Sequence, residues 1–295
     1  MKVQNILRND SEAEHHKKVV DYFEKSRLGY DIVLGGTKHF GFYPDTKKYI
    51  TEKKAQDFMQ DLIAKNLNIK KNQLILDAGC GQGVVSTYLV KKYGCKIIGI
   101  TIVPFEVHKA RNLAKKLGLM DVEYHLMDYS NTRFNDNQFD AIYTMESFVH
   151  SPTTIKTIQE FFRILKPGGR LALFEYTKAP DSKFSPQEKE SLDLIIEGSA
   201  MASLNNMEHN SFSILLKKVG FKLIKEQDIS QHFLPSIKKL NKLAKFPYYI
   251  LIKPLSLQKN FINVTAAIEF YKMAKRGLVK YHIFTAIKPK INKNI

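Results

Sequence analysis

The sequence predicts an α/β fold: a seven-stranded, mostly parallel sheet with one reversed strand, a helical N-terminal cap and a basic helical insertion before the last strand. Two observations lead to this prediction. Apolar runs of strand length alternate with helical stretches over residues 73–228, at the spacing of βαβ units. The first run is followed by Gly79, Gly81 and Gly83, whose alternate spacing permits a tight turn into a helix.

The elements follow in order along the chain. Residues 1–65 are expected to form a helical cap that faces the substrate and includes a turn-rich segment at 29–44. Residues 66–228 together with 281–290 form the predicted core. Its expected strands are residues 74–76, 96–101, 122–127, 139–145, 165–174, 221–224 and 281–287. About fifty residues separate the last two strands, far more than an ordinary connection, so residues 229–280 are expected to be an inserted helical lid.

Length and composition bound the class of protein. With 295 residues, 44% of them hydrophobic, the chain can bury one large core and a smaller lid. Its start has no apolar secretory core, and no stretch approaches the ~20 apolar residues of a spanning helix. We therefore expect a cytoplasmic protein, with a peripheral position on a membrane surface left open. Cys80 and Cys95 lack metal-ligand spacing, so the sequence predicts no metal site.

The formal charge of +17 is unevenly distributed. Residues 211–295 contain 17 Lys and Arg against three Asp and Glu. This asymmetry favours an anionic partner such as a membrane surface, a diphosphate or RNA, although a general bias in coding would also raise the lysine content. No RNA-binding motif or basic-aromatic repeat accompanies the charge, so nucleic acid is not expected as a partner.

Within the expected lid, one helix has two different faces. Ile237, Leu240 and Leu243 share an apolar face, while the lysines of residues 238–245 lie around the other. The helix is expected to end before Pro247. Two interpretations stay open: the helix lies on an anionic membrane, or it is a lid whose apolar face packs on the core.

The glycine turn is the most specific motif. Asp-x-Gly-x-Gly-x-Gly at 77–83 resembles the first motif of the S-adenosylmethionine-dependent methyltransferases, whose fold is Rossmann-like, and Leu-Lys-Pro-Gly-Gly at 165–169 is a further match. The resemblance implies S-adenosyl-L-methionine as cofactor. Its implied binding residues are Asp77, Gly79, Cys80, Gly81, Gly83, Thr101, Ile102, Glu106, Asp128, Tyr129 and Met145.

These residues have different expected roles. Asp77 is expected near the methionine end of the cofactor, and capping of the turn is a compatible role. The second strand ends in a hydroxyl, not in the acid that often binds the ribose, so Thr101, the backbone of Ile102 and Glu106 are the ribose candidates. Asp128 is expected to accept a hydrogen bond from the adenine amino group, and the tyrosine after it to flank the ring.

An acid and a histidine follow the fourth strand. The sequence there is Met-Glu-Ser-Phe-Val-His, not the Asn/Asp-Pro-Pro-aromatic motif of many nucleic-acid amino-methyltransferases. Glu146 and His150 are four residues apart, so one helical turn would point both the same way from the carboxyl edge of the sheet. They are candidates for a catalytic base and the group that orients it. A plain hydrogen-bonded pair is the alternative.

Around these residues lies a closer resemblance. Glu-x-x-x-His-x-Pro at 146–152, and a segment at 34–40 that is similar to Trp-Gly-x-Ser-x-His-Phe, resemble the sterol 24-C-methyltransferases and their prenyl-lipid relatives. The resemblance implies methylation of an electron-rich alkene through a carbocation, followed by proton loss to a base. The implied catalytic residues are Glu146, His150 and His39. The aromatic residues expected around the substrate are Tyr22, Phe23, Tyr30, Phe40, Tyr43 and Tyr176.

Several alternatives stay open. The chain contains no tryptophan, so the acceptor can be a smaller or linear isoprenoid, including a prenyl diphosphate, as well as a sterol. Some of the aromatic residues can simply pack the cap on the core. N-methylation of a small amine of the phosphoethanolamine type is a second function. A basic RNA-associated or non-catalytic relative is a third, and the intact glycine turn and Asp128 argue against the non-catalytic form.

Overall fold

The computed structural model describes residues 2–34, 36–46 and 48–290, apart from the side chains of residues 2–10, 28, 30 and 32–34. The strands of this part are β1 (Leu74–Ala78), β2 (Lys96–Thr101), β3 (Val122–Leu126), β4 (Phe139–Met145), β5 (Leu165–Lys178), β6 (Lys222–Asp228) and β7 (Val279–Ile287). They form one sheet in the order β3-β2-β1-β4-β5-β7-β6. Strand β7 is antiparallel to both neighbours, and the other neighbouring pairs are parallel. The predicted fold class is confirmed.

Helices surround this sheet. The α-helices of the described chain are α1 (Lys2–Leu34), α2 (Glu52–Leu67), α3 (Val84–Tyr93), α4 (Pro104–Lys116), α5 (Thr154–Ile164), α6 (Pro186–Gly198), α7 (Phe212–Val219), α8 (Ser230–Pro247) and α9 (Ile262–Lys275). Within the same residues, no helix combines the length and the apolar character needed to cross a membrane.

The central strands are apolar on both sides because helices cover both faces of the sheet. In β4, six of the seven residues are buried, and β1 is buried at every position after Leu74. Strand β6 lies at the edge, and its sequence Lys-Leu-Ile-Lys-Glu-Gln-Asp has no fully buried residue. This contrast is the expected burial of a parallel interior and a solvated edge.

The strand order places a crevice between β1 and β4. Strand β1 pairs with β2 on one side and with β4 on the other, so the connections leave its carboxyl end in opposite directions. Ligands of open α/β sheets bind at such a point. Here the glycine turn follows β1 and Glu146 follows β4, so the two motifs meet at one edge of the sheet.

The segment between β6 and β7 is helical, but α8 is longer than predicted. The expectation that the helix ends before Pro247 is wrong, since α8 contains Pro235 and Pro247 and continues into a π-helical turn, Tyr248–Ile252. The Tyr248 amide bonds to the carbonyl of Ala244, which keeps the chain helical beyond the proline. Helices α8 and α9 pack together around an apolar cluster that includes Ala244, Tyr248, Ile252 and Ile268.

Candidate active site

Three glycines form the turn after β1, and each has a positive φ angle, from +51° to +94°. At Gly79 a Cβ atom would lie 2.4 Å from the Cβ of Ser147, and at Gly83 it would lie 2.6 Å from the Tyr124 hydroxyl. At Gly81 a Cβ atom would meet no heavy atom within 4 Å. Gly79 and Gly83 are therefore required by packing, whereas Gly81 borders open space.

Asp77 lies under this turn. It is buried, and its carboxylate accepts a hydrogen bond of 2.6 Å from the Ser86 hydroxyl in the first turn of α3. Burial raises the pKa of Asp77 to about 6. Asp77 and Cys80 line a small cavity of about 40 Å³ beside the glycine turn, which the segment 36–39 covers. Burial also raises the pKa of the Cys80 thiol, so this residue is no nucleophile.

The end of β2 is completed by an acid from the next helix. The Thr101 hydroxyl donates to Glu106 Oε2 at 2.7 Å, and the Lys38 ammonium forms an ion pair with Glu106 Oε1. Glu106 is buried in the first turn of α4, yet it borders a second, larger cavity of about 410 Å³. A carboxylate thus stands next to Thr101 although the strand itself does not end in one.

Asp128 and Tyr129 follow β3. The Asp128 carboxylate accepts hydrogen bonds from the backbone amide and the hydroxyl of Ser130, at 2.7 and 2.6 Å. His16 Nε2 of α1 lies 3.3 Å from the same carboxylate, so the cap covers this end of the site. The Tyr129 hydroxyl donates to the carbonyl of Ser147 at 2.7 Å, which fixes its ring beside the glycine turn.

A larger cavity of about 410 Å³ connects these groups with the cap and the insertion. The predicted residues that border it are Tyr22, Phe23, Phe40, Gly79, Gly81, Thr101, Ile102, Glu106, Asp128, Tyr129, Met145, Glu146, His150 and Tyr176. Most of its remaining lining is apolar and comes from α6, α8 and α9, for example Ile195, Ile237, Leu240 and Phe270. The candidate cofactor residues and the candidate substrate residues therefore share one chamber.

Glu146 stands at the centre of this chamber with a φ angle of +52°, a left-handed conformation that is strained for a glutamate. Its carboxyl group accepts the Phe40 amide at 2.8 Å, the Tyr281 hydroxyl at 3.1 Å and the Tyr176 hydroxyl. Burial raises the pKa of Glu146 to about 8, while the donors partly oppose the shift. A carboxyl group held this way can exchange a proton near neutral pH.

Tyr281 is the functional residue that sequence reasoning missed. It stands directly opposite Tyr176 in the antiparallel pair of β5 and β7, and the two rings meet edge to face at 5.3 Å. Both hydroxyls point to Glu146. The available signal was a tyrosine in a mostly apolar stretch of the last strand, which also contains Lys280, His282 and Thr285. Without the register of β5 and β7, nothing in the sequence joins it to Glu146.

His150 borders the large cavity, but the predicted α-helical turn does not position it there. Glu146 precedes a short 3-10 helix, Phe148–His150, so the expected shared α-helical turn of Glu146 and His150 is wrong. The His150 ring donates from Nδ1 to the carbonyl of Ala200 at 3.1 Å, and its ring lies 5.1 Å from that of Phe23. Burial lowers the pKa of His150 to about 4, so the imidazole is neutral.

A second buried acid, Glu175, holds the 3-10 helix in place. Its Oε1 accepts hydrogen bonds from the Thr144 hydroxyl and from the amides of Ser147 and Phe148, at 2.7 to 3.0 Å. Burial raises its pKa to about 7. Glu175 thus fixes the loop that carries both Glu146 and His150.

His39 and Tyr43 do not border the large cavity, and their expected catalytic and substrate-binding roles stay predictions. His39 lies in the small cavity; it donates from Nδ1 to the Phe40 carbonyl at 2.9 Å and receives the Gln60 amide at Nε2, 3.2 Å away. Burial lowers its pKa to about 4. This arrangement orients Phe40, which contacts Glu146, but keeps His39 itself away from the large cavity.

Tyr43 is also a packing residue. Its hydroxyl donates to Glu52 Oε2 at 2.7 Å and accepts from Lys239, so it joins the cap to α8. Gly83 borders neither cavity, because it caps α3 and packs on Tyr124. The side chain of Tyr30 and the residue Gly35 of the 34–40 segment lie outside the described residues.

A sheet with its last strand reversed and a glycine turn after its first strand is the architecture of the class I S-adenosyl-L-methionine-dependent methyltransferases. The turn also has the features that this cofactor needs: Gly81 opens on free space, the start of α3 directs its amides there, and carboxylates stand along the neighbouring strand ends. The fold and the site define that class.

Comparison with known proteins supports the same class. A family model described as "Methyltransferase domain" matches residues 75–169. The S-adenosyl-L-methionine-dependent Diels-Alderase iccD of Talaromyces variabilis is 32% identical over 95% of this chain and 97% of its own length. The sterol 24-C-methyltransferase of Kluyveromyces lactis is 25% identical over 92% and 70%. The cyclopropane synthase MmaA2 of Mycobacterium tuberculosis superposes with a TM-score of 0.80 at 17% identity, over 93% and 98%. The chain belongs to the S-adenosyl-L-methionine-dependent methyltransferase family, and its cofactor is S-adenosyl-L-methionine.

Proposed function

We propose that the protein methylates an alkene carbon of a neutral, apolar isoprenoid or sterol lipid. The observation that carries this proposal is the carboxyl group of Glu146, held by Tyr176 and Tyr281 inside the apolar chamber that the glycine turn also borders. A related sterol 24-C-methyltransferase aligned over most of the chain supports the same reaction class.

The candidate cofactor residues can be assigned to different parts of the cofactor. We assign the amino-acid end of the cofactor to the glycine turn and the small cavity above Asp77. Glu106, which Thr101 and Lys38 position, accepts hydrogen bonds from the ribose hydroxyls, in place of an acid at the end of the strand. Asp128 accepts a hydrogen bond from the adenine amino group. When bound, the cofactor supplies an electrophilic methyl group on a positively charged sulfur.

The chain's own groups then handle the substrate. With the cofactor held by these residues, it would supply its methyl group to the π electrons of the alkene and keep the electron pair of the broken sulfur–carbon bond, which would leave the neighbouring substrate carbon cationic. The aromatic rings of Phe23, Phe40 and Tyr176 surround this charge, which a π face stabilises. The carboxylate of Glu146 accepts the proton that leaves, and the apolar lining disfavours water next to the cation.

The charges of the chamber favour a neutral substrate. Among its described lining residues the one lysine, Lys38, is already paired with Glu106, and His16 and His150 are the remaining basic groups. The lysines of the insertion, such as Lys242 and Lys245, are exposed instead of lining the chamber. In the described residues no group of three or more His, Cys, Asp and Glu side chains is arranged to hold a metal ion. The same argument disfavours phosphoethanolamine.

One observation favours a second candidate, cyclisation without methyl transfer. The relative that is 32% identical over nearly the whole chain is described as a Diels-Alderase. With its pKa near 8, Glu146 is largely protonated at pH 7, and a protonated carboxyl beside two tyrosines can donate a hydrogen bond to a substrate carbonyl. Such a reaction converts three π bonds into two carbon–carbon σ bonds and one new π bond, and it consumes no cofactor.

One experiment separates the candidates. The purified protein is incubated with methyl-labelled S-adenosyl-L-methionine and a panel of sterols, prenyl alcohols, prenyl diphosphates, phosphoethanolamine, RNA and linear polyenes, and the products are resolved by mass spectrometry. We expect label in a neutral sterol or prenyl product. A polyene product isomeric with its precursor and free of label would establish cyclisation, and label confined to diphosphates, phosphoethanolamine or RNA would overturn the proposed substrate class.

A further inference from the structure

The insertion exposes a set of large apolar side chains. Along α8 and the π-helical turn, Leu243, Phe246 and Ile250 are 66%, 76% and 65% exposed, and their spacing places them on one helix face. The neighbouring residues Leu251 and Leu255 are 48% and 59% exposed. We call these five side chains the apolar ridge. A cluster of this size within one substructure differs from the single exposed apolar residues of an ordinary protein surface.

Lysines without an acidic partner flank this ridge. Lys238, Lys242 and Lys245 are exposed on the adjacent face of α8, and within the described chain no carboxylate forms an ion pair with them. Residues 229–280 contain a single acid, Glu269, which pairs with Lys272 at 2.9 Å. The surface is therefore both apolar and strongly positive.

The ridge also borders the mouth of the chamber. Leu240, Leu243 and Pro247 line the chamber, and Leu243 is at the same time largely exposed. The chamber thus reaches the protein surface at α8. An apolar molecule that leaves a lipid phase against this helix meets an apolar path to Glu146 without crossing open water.

We propose that the apolar ridge and its lysines bind an anionic lipid bilayer, with α8 lying in the interface. Apolar side chains enter the boundary between headgroups and acyl chains, and the lysines contact the anionic headgroups. A neutral protein surface or a second copy of this basic chain would leave these positive charges uncompensated. Entry of the substrate from the bilayer rests on the proposed function, whereas the binding itself does not.

The test is co-sedimentation of the full chain with vesicles. One set contains phosphatidylcholine alone and the other adds phosphatidylglycerol. We expect binding to the anionic vesicles that weakens as salt increases, since exposed charges are screened. Each lysine near an anionic surface strengthens binding about fivefold, so the triple variant Lys238→Gln/Lys242→Gln/Lys245→Gln should bind about a hundredfold more weakly.

Two matched control variants and one further test variant complete the experiment. Lys91→Gln/Lys115→Gln/Lys116→Gln removes the same charge from exposed sites on α3 and α4 and should leave more than half of the binding. Phe246→Ser/Ile250→Ser removes two members of the ridge and should weaken binding at least tenfold, since each buried apolar group adds to insertion. Its counterpart Met120→Ser/Ile214→Ser changes exposed apolar residues elsewhere and should have no effect.

Three results would overturn the proposal. The first is absence of binding to anionic vesicles, and the second is equal loss of binding in both lysine variants, which would indicate total charge and not this surface. The third is a dimer, detected by analytical ultracentrifugation, that Phe246→Ser/Ile250→Ser dissociates, because the ridge would then be an interface between two copies. None of these readouts depends on methyl transfer, so failure here is distinct from failure of the proposed function.

Discussion

The contacts of Asp77 with Ser86 and of Thr101 with Glu106, at the cofactor end of the chamber, join residues that are close in sequence, whereas the contacts of Glu146 at the substrate end join residues that are far apart. Ser86 lies nine positions after the Asp77 that it contacts, and Glu106 lies five after Thr101. By contrast, Glu146 is bonded by the amide of a residue 106 positions before it and by Tyr281, 135 positions after it.

This difference predicts that the substrate end of the chamber can change more freely than the cofactor end. A single strand-turn-helix unit builds the glycine turn, so the cofactor end tolerates little change within it. The substrate end exists only where the cap, the sheet and the insertion meet, and each of these can change without disturbing the turn. The same core can therefore serve different acceptors, as expected when function resides in a site added to a common fold.

The largest effect is expected from Glu146→Gln. The substitution keeps the shape of the side chain but removes the base, so turnover should fall by ~100-fold or more while the affinity for S-adenosyl-L-methionine stays within a few-fold. Steady-state kinetics and calorimetric titration measure the two quantities. Glu190→Gln, at an exposed position of α6, is the control and should change neither. Unchanged turnover in Glu146→Gln would remove the carboxyl group from the mechanism.

At the cofactor end, Gly81→Ala and Gly79→Ala should differ. Gly81 borders free space, so alanine there adds backbone strain of about 1 kcal/mol and fills room needed by the ligand, and cofactor affinity should fall about tenfold in a folded protein. Alanine at Gly79 would collide with Ser147, and it should lower the free energy of unfolding by about 1–3 kcal/mol. Thermal denaturation and cofactor titration of both variants test this. Identical behaviour would contradict the division of roles.

The pH dependence tests the state of Glu146. The active base is the carboxylate, so methyl transfer in the wild type should rise with pH and level off above about pH 8. Cyclisation assisted by the protonated acid would show the opposite sign and decline above that pH. A pH–rate profile on the product identified above decides between them.

Tyr281→Phe provides a second test of the protonation state of Glu146. The tyrosine hydroxyl stabilises the charged carboxylate, so its removal should raise the pKa of Glu146 further and move the rise in rate to higher pH. At pH 7 turnover should fall about tenfold, the effect of about 1.4 kcal/mol, close to the lower end of the range for a hydrogen bond to a charged group. A profile that keeps its midpoint would show that Tyr281 acts only through packing.

The smallest effect is expected from Tyr43→Phe. Its hydroxyl joins Glu52 to Lys239 outside the chamber, so the variant should lose about 1 kcal/mol of stability and retain its turnover. Denaturant unfolding and the same kinetic assay check this. A large loss of turnover would restore Tyr43 to the substrate site, where the sequence pattern had placed it.

Much of the cofactor end was readable from the sequence. The glycine spacing at 77–83, the succession of strands along the chain and the place of Asp128 after the third strand follow from local patterns, because hydrophobic periodicity and turn chemistry act over a few residues. Glu146 was identified for a similar reason: it directly follows a buried strand at the binding edge. The basic, apolar character of α8 was also evident, since charge and helical spacing are properties of the sequence itself.

The tertiary structure decided which of these groups meet. Only the antiparallel register of β5 and β7 brings Tyr281 to Glu146, and only the packing of segment 36–43 against α2 and α8 withdraws His39 and Tyr43 from the chamber. Contacts between residues a hundred positions apart depend on how whole elements pack, and no local preference specifies them. By itself the sequence determined the fold class and the position of the cofactor turn. Packing decided the tyrosine pair around Glu146 and the exposure of the apolar ridge.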